Sequence, residues 1–396
     1  YSGMADVARA TQDESLLKAC ETLWNNMVHQ KMYVTGGIGA THIGEAFSFN
    51  YDLPNDTAYA ETCASIGLVF FARRMLEIQA KAEYADVMEL ALYNGVLSGM
   101  ALDGKSFFYV NPLEVLPEAC HKDERKFHVK PIRQKWFGCA CCPSNICRFI
   151  PSLPGYVYAV HDKDVYVNLF MSNTSDLKVN GKSLQLAQST EYPWNGDIRL
   201  NVTPKGKQDF TLKIRIPGWV RGEVVPSDLY TFSDGKQLGY SIKVNGEAVE
   251  SGLEKGYFSV SRQWKKGDVV EVHFDMEPRT VKANAKVEAD RGRVAVERGP
   301  VVYCAEWPDN DFSVLGVLVN RKPEFTFERK PDLLHGINEI KTSAQALNYD
   351  ASGRLTVKDV TLTLIPYYAW AHRGKGEMAV WLPQEVNAVR TSVPGE

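Results

Sequence analysis

Leu153-Pro154-Gly155-Tyr156-Val157-Tyr158-Ala159-Val160-His161-Asp162-Lys163-Asp164-Val165-Tyr166-Val167-Asn168-Leu169-Phe170 is the stretch at which the chain changes its period. Upstream, apolar residues recur at helical spacing. Leu16, Leu17, Cys20, Leu23, Trp24 and Met27 predict a helix over 13–32. Two more are expected over 61–79 and 84–100, and a short one from Ile146 to Leu153. Downstream, apolar and polar residues alternate, the mark of half-buried strands. Residues 157–160 and 165–170 read as two strands joined through Asp162-Lys163-Asp164. Further strands are expected near 197–203, 209–216, 240–244, 256–261 and 268–275. Asn180-Gly181, Asn195-Gly196, Asp234-Gly235 and Asn245-Gly246 mark turns. Residues 219–238 read as an inserted loop. A second β-rich block follows Glu277-Pro278, with strands near 292–305, 360–366 and 377–382 and an irregular middle over 308–350. The expected fold class is therefore α plus all-β and multidomain, with two β-sandwiches after the helices.

A chain of 396 residues has room for two or three domains and a sizeable core. Its composition, 44% hydrophobic and 23% charged, is that of an ordinary globular protein. A net charge of −3 offers no electrostatic footprint for nucleic acid. No run of about 18 apolar residues predicts a membrane span. The opening Tyr1-Ser2-Gly3-Met4 has neither a basic region followed by an apolar stretch nor an initiator Met, so the chain reads as a processed or partial one.

Eight cysteines in a chain of this length do not make a disulfide scaffold. Cys20 and Cys304 lie in apolar periodic segments and read as small buried hydrophobes, and Cys120 and Cys147 as structural. The exception is Gly138-Cys139-Ala140-Cys141-Cys142-Pro143-Ser144-Asn145. Adjacent Cys141 and Cys142 could bridge each other only through a strained ring. With Glu61 and Cys63 of Tyr59-Ala60-Glu61-Thr62-Cys63 they supply four ligands of the kind that suits Zn²⁺. The spacing matches no standard zinc finger. Buried free thiols and a redox pair stay open as alternatives, although Cys139-Ala140-Cys141 is not the usual redox spacing.

Three other positions carry chemistry. Glu45 sits in a glycine-rich loop close to Phe47 and Phe49, and an acid in aromatic surroundings is expected to hold its proton and act as a general acid. The alternative is a solvated loop glutamate. Tyr109, on a short strand-like run over 106–110, is a candidate to bind substrate or nucleophile, and His42 is a candidate pocket residue. Each has a plain alternative, a core tyrosine and a backbone-satisfied loop histidine. His121 and His128 fall in a polar excursion over 117–135 without ligand spacing. Trp307, Tyr367, Tyr368, Trp370 and His372 form an aromatic group read as a sandwich core or domain interface ahead of a carbohydrate contact.

These residues also carry a resemblance. Tyr33-Val34-Thr35-Gly36-Gly37-Ile38-Gly39, His42-Ile43-Gly44-Glu45-Ala46-Phe47, Tyr51-Asp52-Leu53-Pro54-Asn55-Asp56, Ala60-Glu61-Thr62-Cys63-Ala64-Ser65 and Phe108-Tyr109-Val110-Asn111-Pro112-Leu113 accompany the cysteine cluster. Together they resemble the β-L-arabinofuranosidases of glycoside hydrolase family 127 and the related family 146, the former DUF1680 group. The motifs lie within residues 33–147, and the β-rich remainder fits more loosely. The resemblance implies an (α/α)6 barrel followed by two β-sandwiches. Residues 1–155 would be the C-terminal part of the barrel, 156–280 the first sandwich and 281–396 the second. Family histidines from earlier barrel helices have no counterpart here.

The resemblance further implies retaining release of terminal β-L-arabinofuranosyl units from an arabinose-containing oligosaccharide or glycan. Cys141 matches the nucleophile, Glu45 the acid/base, Tyr109 a substrate-pocket tyrosine, and Glu61, Cys63, Cys141 and Cys142 the Zn²⁺ ligands. Two other functions stay open: a zinc hydrolase attacking with metal-bound water, and a zinc-containing carbohydrate-binding protein without turnover. No nucleic-acid or membrane partner is expected, and a homodimer is the assembly allowed for. Thiolates that need reducing or metal-protected conditions favour the cytoplasm. A periplasmic home follows instead if a signal peptide lies upstream.

Overall fold

The computed structural model describes residues 1–350 and 352–390; the last residues of the expected second sandwich, 391–396, lie outside them. Helices fill the first part. α1 (Ser2–Thr11) was not anticipated; α2 (Glu14–Gln30) and α3 (Thr62–Gln79) match the predicted periodicity. The Asp13 carboxylate starts α2 by accepting from the backbone N–H groups of Ser15 and Leu16. α4 (Ala82–Leu90) runs on as a π-helical turn, Ala91–Val96, in place of the single helix expected to residue 100. The short α5 (Ala119–Lys122) precedes α6 (Cys141–Phe149). α6 corrects the expected helix over 146–153, because it begins at the cysteines. Pro143 is tolerated there, since first-turn N–H groups have no intrahelical acceptor to lose. Among the described residues no helix is long and apolar enough to cross a membrane.

Next come two sheets. Six strands from Asn173–Val179 to Asp268–Phe274 make one, and five strands from Tyr158–His161 to Tyr257–Trp264 make the other. Their alternating apolar residues, among them Leu186, Leu200, Val270, Leu212 and Trp264, bury into one shared core. The marked turn Asn180-Gly181 joins two strands absent from the sequence reading, Asn173–Val179 and Lys182–Thr190. Both turn residues have positive φ, 49° and 74°, as a two-residue hairpin of this hand requires. Their polar outward faces conceal the alternation.

The last block differs from expectation in three ways. First, its strands hydrogen-bond into one continuous 11-stranded sheet rather than two separate sheets. Second, residues 308–350 are not irregular: Ile337–Tyr349 is a 13-residue strand paired along its length with Leu355–Pro366. Third, Tyr230–Phe232, inside the expected inserted loop, pairs with Pro278–Ala283.

Buried polar groups lock the β units to the helices. Arg215 donates to Glu89 at 2.5 Å, Asp86 at 2.7 Å and the Asn168 carbonyl at 2.6 Å. Asn94 accepts from Val302 N at 2.8 Å and donates to the Pro300 carbonyl at 2.9 Å. The excursion over 117–135 is likewise anchored. Arg133, buried, donates to the carbonyls of Ser98, Tyr368 and Trp370, and its guanidinium lies 4.5 Å from the Phe108 ring centroid. Trp370 stacks on that ring from the last block at 4.8 Å, and the Tyr367 hydroxyl donates to the Pro112 carbonyl. The aromatic group near 370 is thus an interface with the helical unit.

Glu297 stands directly across the sheet from Arg279 yet has no hydrogen bond to its buried Oε1 among the described residues. Burial dominates and pushes its carboxyl up to about 8. A raised acid favours folding while protonated. That contribution is complete below the ordinary carboxyl range and is lost as pH climbs toward 8, at about 1.4 kcal/mol per pH unit for one proton. Glu297→Gln should therefore leave the melting temperature at pH 5 nearly unchanged and raise it at pH 8. Parallel melting-versus-pH curves for the two proteins would contradict this.

Candidate active site

The site grows from three segments tied to one another. The first is 59–62. Thr62 N donates to the Tyr109 carbonyl at 3.0 Å, Thr62 Oγ1 to the Phe108 carbonyl at 2.9 Å, and Asn111 Nδ2 to the Ala60 carbonyl at 2.9 Å. These bonds lay the 107–111 run against the start of α3 and make Tyr109 a neighbour of Glu61. The second is the glycine-rich loop over 34–39. Gly36, at φ 70°, sits so close to the π-helical turn that a Cβ would stand 2.6 Å from Ala91 Cα. A Cβ on Gly99 would stand 2.4 Å from Thr62. Small residues let α3 begin deep against its neighbours, with Ala60 held at φ 35° just before it. The third is the first turn of α6, which carries Cys141 and Cys142.

Glu61, Cys63, Cys141 and Cys142 converge. Their ligand atoms all lie within 4.8 Å of one another. Cys63 and Cys142 sulfurs are 3.6 Å apart, Cys141 and Cys142 sulfurs 3.7 Å. Glu61 Oε1 lies 3.6 Å from the Cys141 sulfur and 3.9 Å from that of Cys142. Four ligands set tetrahedrally at about 2.3 Å from an ion would stand about 3.8 Å apart. The donor set and its edges fit a metal ion.

The electrostatics agree with that. Burial, then the charge of Cys63, pushes Glu61 up to about 7. Cys63 is pulled down to about 6, first by its hydrogen bond with Cys142 and further by Asn145. Burial pushes Cys141 up to about 12, and Cys142 is driven up by its hydrogen bond to Cys63. Cys63 holds the charge while its neighbours hold protons. A cation would replace those protons and bind all four groups ionised.

Glu45 faces this cluster from the glycine-rich loop, at φ 50° beside Gly44 at φ 71°. Its aromatic surroundings are not the expected ones. Phe49 is 73% exposed, and Phe47 lies 5.9 Å from the Lys31 ammonium. Instead two tyrosine hydroxyls reach the carboxylate, Tyr59 at 2.8 Å and Tyr109 at 3.3 Å. Cys141 lies near enough for its charge to add to burial in raising the Tyr109 phenol. One phenol thus stands beside the candidate acid and the candidate nucleophile. Burial raises both tyrosines well above the ordinary phenol value, so they serve as donors.

His42 is exposed and stacks on His128 at 4.5 Å; His128 also faces Tyr59 and hydrogen-bonds the Thr57 carbonyl. Sequence reasoning left out Tyr59, His128 and Asn145. Tyr59 carried a signal, since an extended segment puts residues two apart, here Tyr59 and Glu61, on one side. His128 carried none, for only folding brings it beside His42. Cys139 is exposed and lies outside the ligand set. Cys20, Cys120 and Cys304 are buried, whereas Cys147 is exposed, not a core residue.

Comparison with known proteins matches three parts of the chain to family models. Residues 2–155 match the β-L-arabinofuranosidase GH127 catalytic domain, 164–276 the GH127 middle domain and 278–383 the glycoside hydrolase family 127 C-terminal domain. A non-reducing end β-L-arabinofuranosidase of Bifidobacterium longum is 38% identical over 96% of this chain and 57% of its own length. A solved GH127 β-arabinofuranosidase superposes with a TM-score of 0.94 at 59% identity, covering 99% of this chain and 60% of its own. A GH127 β-L-arabinofuranosidase from Geobacillus stearothermophilus T6 gives 0.89 at 44% identity, over 97% of this chain and 59% of its own. The chain therefore spans somewhat more than half the length of these relatives.

Elemental analysis of the purified protein should find about one divalent ion per chain, the capacity of one tetrahedral site. Cys142→Ser and Cys63→Ser should each lower that occupancy sharply, while Cys139→Ser should not. Equal metal content in all three variants would place the ion elsewhere.

Proposed function

The chain belongs to glycoside hydrolase family 127, and on that premise we propose that it serves the retaining release of terminal β-L-arabinofuranosyl residues from an arabinose-containing oligosaccharide or glycan. The observation that carries the proposal is the convergence of Glu61, Cys63, Cys141 and Cys142 beside Tyr109, whose hydroxyl donates to Glu45 at 3.3 Å.

In this reading Glu61, Cys63, Cys141 and Cys142 would hold Zn²⁺, which would keep the thiols ionised near neutral pH. The Cys141 sulfur attacks the anomeric carbon as the glycosidic C–O bond breaks. Glu45 gives its proton to the leaving oxygen. Water then attacks the same carbon, Glu45 takes its proton, and the S–C bond breaks to restore Cys141. Tyr59 and Tyr109 hold the Glu45 carboxylate toward the reacting bond. Tyr109 steadies the sulfur, and His42, on its His128 support, lines the sugar pocket.

The same premise extends to the architecture. Residues 1–155 are proposed to be the C-terminal part of an (α/α)6 barrel, and 156–280 and 281–396 two β domains that brace it.

An aryl β-L-arabinofuranoside, with mass spectrometry of the intact protein, tests the mechanism. Glu45→Gln should cut turnover by about 10²- to 10⁴-fold, the usual contribution of general acid–base catalysis. Tyr59→Phe, which removes one hydrogen bond to a charged group, should cost about tenfold or more. Cys141→Ser should abolish release, and the native protein should accumulate a glycosyl adduct on Cys141 with a slow substrate. Full activity in Cys141→Ser would remove the nucleophile role and leave attack by metal-bound water. Absence of any sugar release would leave a binding protein.

A further inference from the structure

A cavity of about 790 Å³ opens between the last turns of α3, the start of α4 and the first strands of the five-stranded sheet. Its volume is that of small-molecule sites. The 18 residues of α3 span about 27 Å, so Glu61 and this cavity stand at opposite ends of one rod.

Its walls are rich in donors. Arg9, Arg73, Lys81 and Lys255 line it against one carboxylate, Glu77. On a chain of net charge −3, that is a local concentration of positive charge. Glu77 is taken up by Arg73 at 3.0 Å and Arg9 at 3.4 Å. Lys81 stands 3.9 Å from Glu83, and Lys255 has no ion pair among the described residues. Lys255 is held rigidly: it forms a two-residue hairpin turn with Gly256, both at positive φ, and its carbonyl accepts from Ala82 N at 2.9 Å. At the inner wall lies Asn168, 1% exposed. Its Oδ1 accepts from the Tyr257 hydroxyl at 2.7 Å, and its carbonyl accepts from Arg215. No hydrogen bond from its Nδ2 amide is found among the described residues.

We propose that this cleft is a second saccharide site, for a sugar unit bearing a carboxylate. Lys255 and Lys81 receive the carboxylate, and the Asn168 amide donates to a hydroxyl or ring oxygen. A lining whose charged side chains are four cations against one ion-paired carboxylate selects an anion over a neutral sugar. The preference for an anion stands on these residues alone; the choice of a sugar rests on the glycosidase reading.

Isothermal titration of the whole protein with a galacturonic acid trimer, its methyl ester and inorganic phosphate tests the proposal. The acid form should bind, the neutral ester at least about tenfold more weakly, the worth of one charge-assisted hydrogen bond. Lys255→Glu and Asn168→Asp should each weaken the acid form by a similar factor. Lys255→Glu, on an exposed turn, keeps the test valid should the buried change fail to fold. Its cleavage of an aryl arabinofuranoside should match the native rate. Equal binding of acid and ester, or of native and Lys255→Glu proteins, would overturn the site. Phosphate binding as tight as the trimer would overturn its assignment to a sugar. Binding that persists in a protein releasing no arabinose would count against the glycosidase reading and leave the cleft standing.

Discussion

Four protonatable groups within 4.8 Å of one another set the constraint on which the helical unit is built. Left to themselves, the carboxylate and three thiols leave the charge on Cys63, and burial favours protons on the others. The arrangement persists because its backbone is fixed from outside. Glu61 precedes α3, Cys63 lies in that helix's first turn, and Cys141 and Cys142 open α6. Two helix starts facing each other bring four short side chains together with few rotatable bonds between ligand atom and scaffold.

Close backbone approach makes that possible. Gly36 against Ala91 and Gly99 against Thr62 leave no room for a Cβ. Asn111 Nδ2 satisfies the Ala60 carbonyl and donates to Thr62 Oγ1 at 3.0 Å, while its own Oδ1 is buried without a partner among the described residues. The motif residues around the site are thus of two kinds. Glu45, Glu61, Tyr109, Cys63, Cys141 and Cys142 are the candidate chemical groups. The glycines, Ala60, Thr62 and Asn111 let those residues come within reach of one another.

The β units bear on the site through buried arginines. Arg215 ties the first pair of sheets to Asp86 and Glu89 of α4. Arg133 ties the 117–135 excursion to the carbonyls at 98, 368 and 370, and burial holds its guanidinium down to about 9. A guanidinium in such a place is retained because each carbonyl it meets would otherwise be buried without a donor. Phe108, between Arg133 and Trp370, is one residue from Tyr109. The last block therefore supports the strand-like run that carries the phenol donating to Glu45.

How much of this was legible in the chain differs from feature to feature. Helical spacing from Leu16 to Met27 and alternation after Gly155 identified the succession from helices to strands, because burial of one face imposes a period that survives in the residues. Glu61, Cys63, Cys141 and Cys142 were legible as a candidate ligand set because thiols and a carboxylate are a donor combination that suits a metal ion. Long polar-faced strands such as Ile337–Tyr349 were not, since pairing with Leu355–Pro366 supplies what periodicity lacks. Residues whose meaning depends on distance were equally hidden. Tyr59 and Tyr109 became partners of Glu45, His128 the support of His42, and Asn168 an open donor only through contacts between segments far apart in the chain. Composition and spacing determine which groups are available and which faces seek burial. Which groups share a proton, an ion or a ligand is decided by the tertiary fold, because those energies fall off within a few ångströms and local sequence does not set such separations.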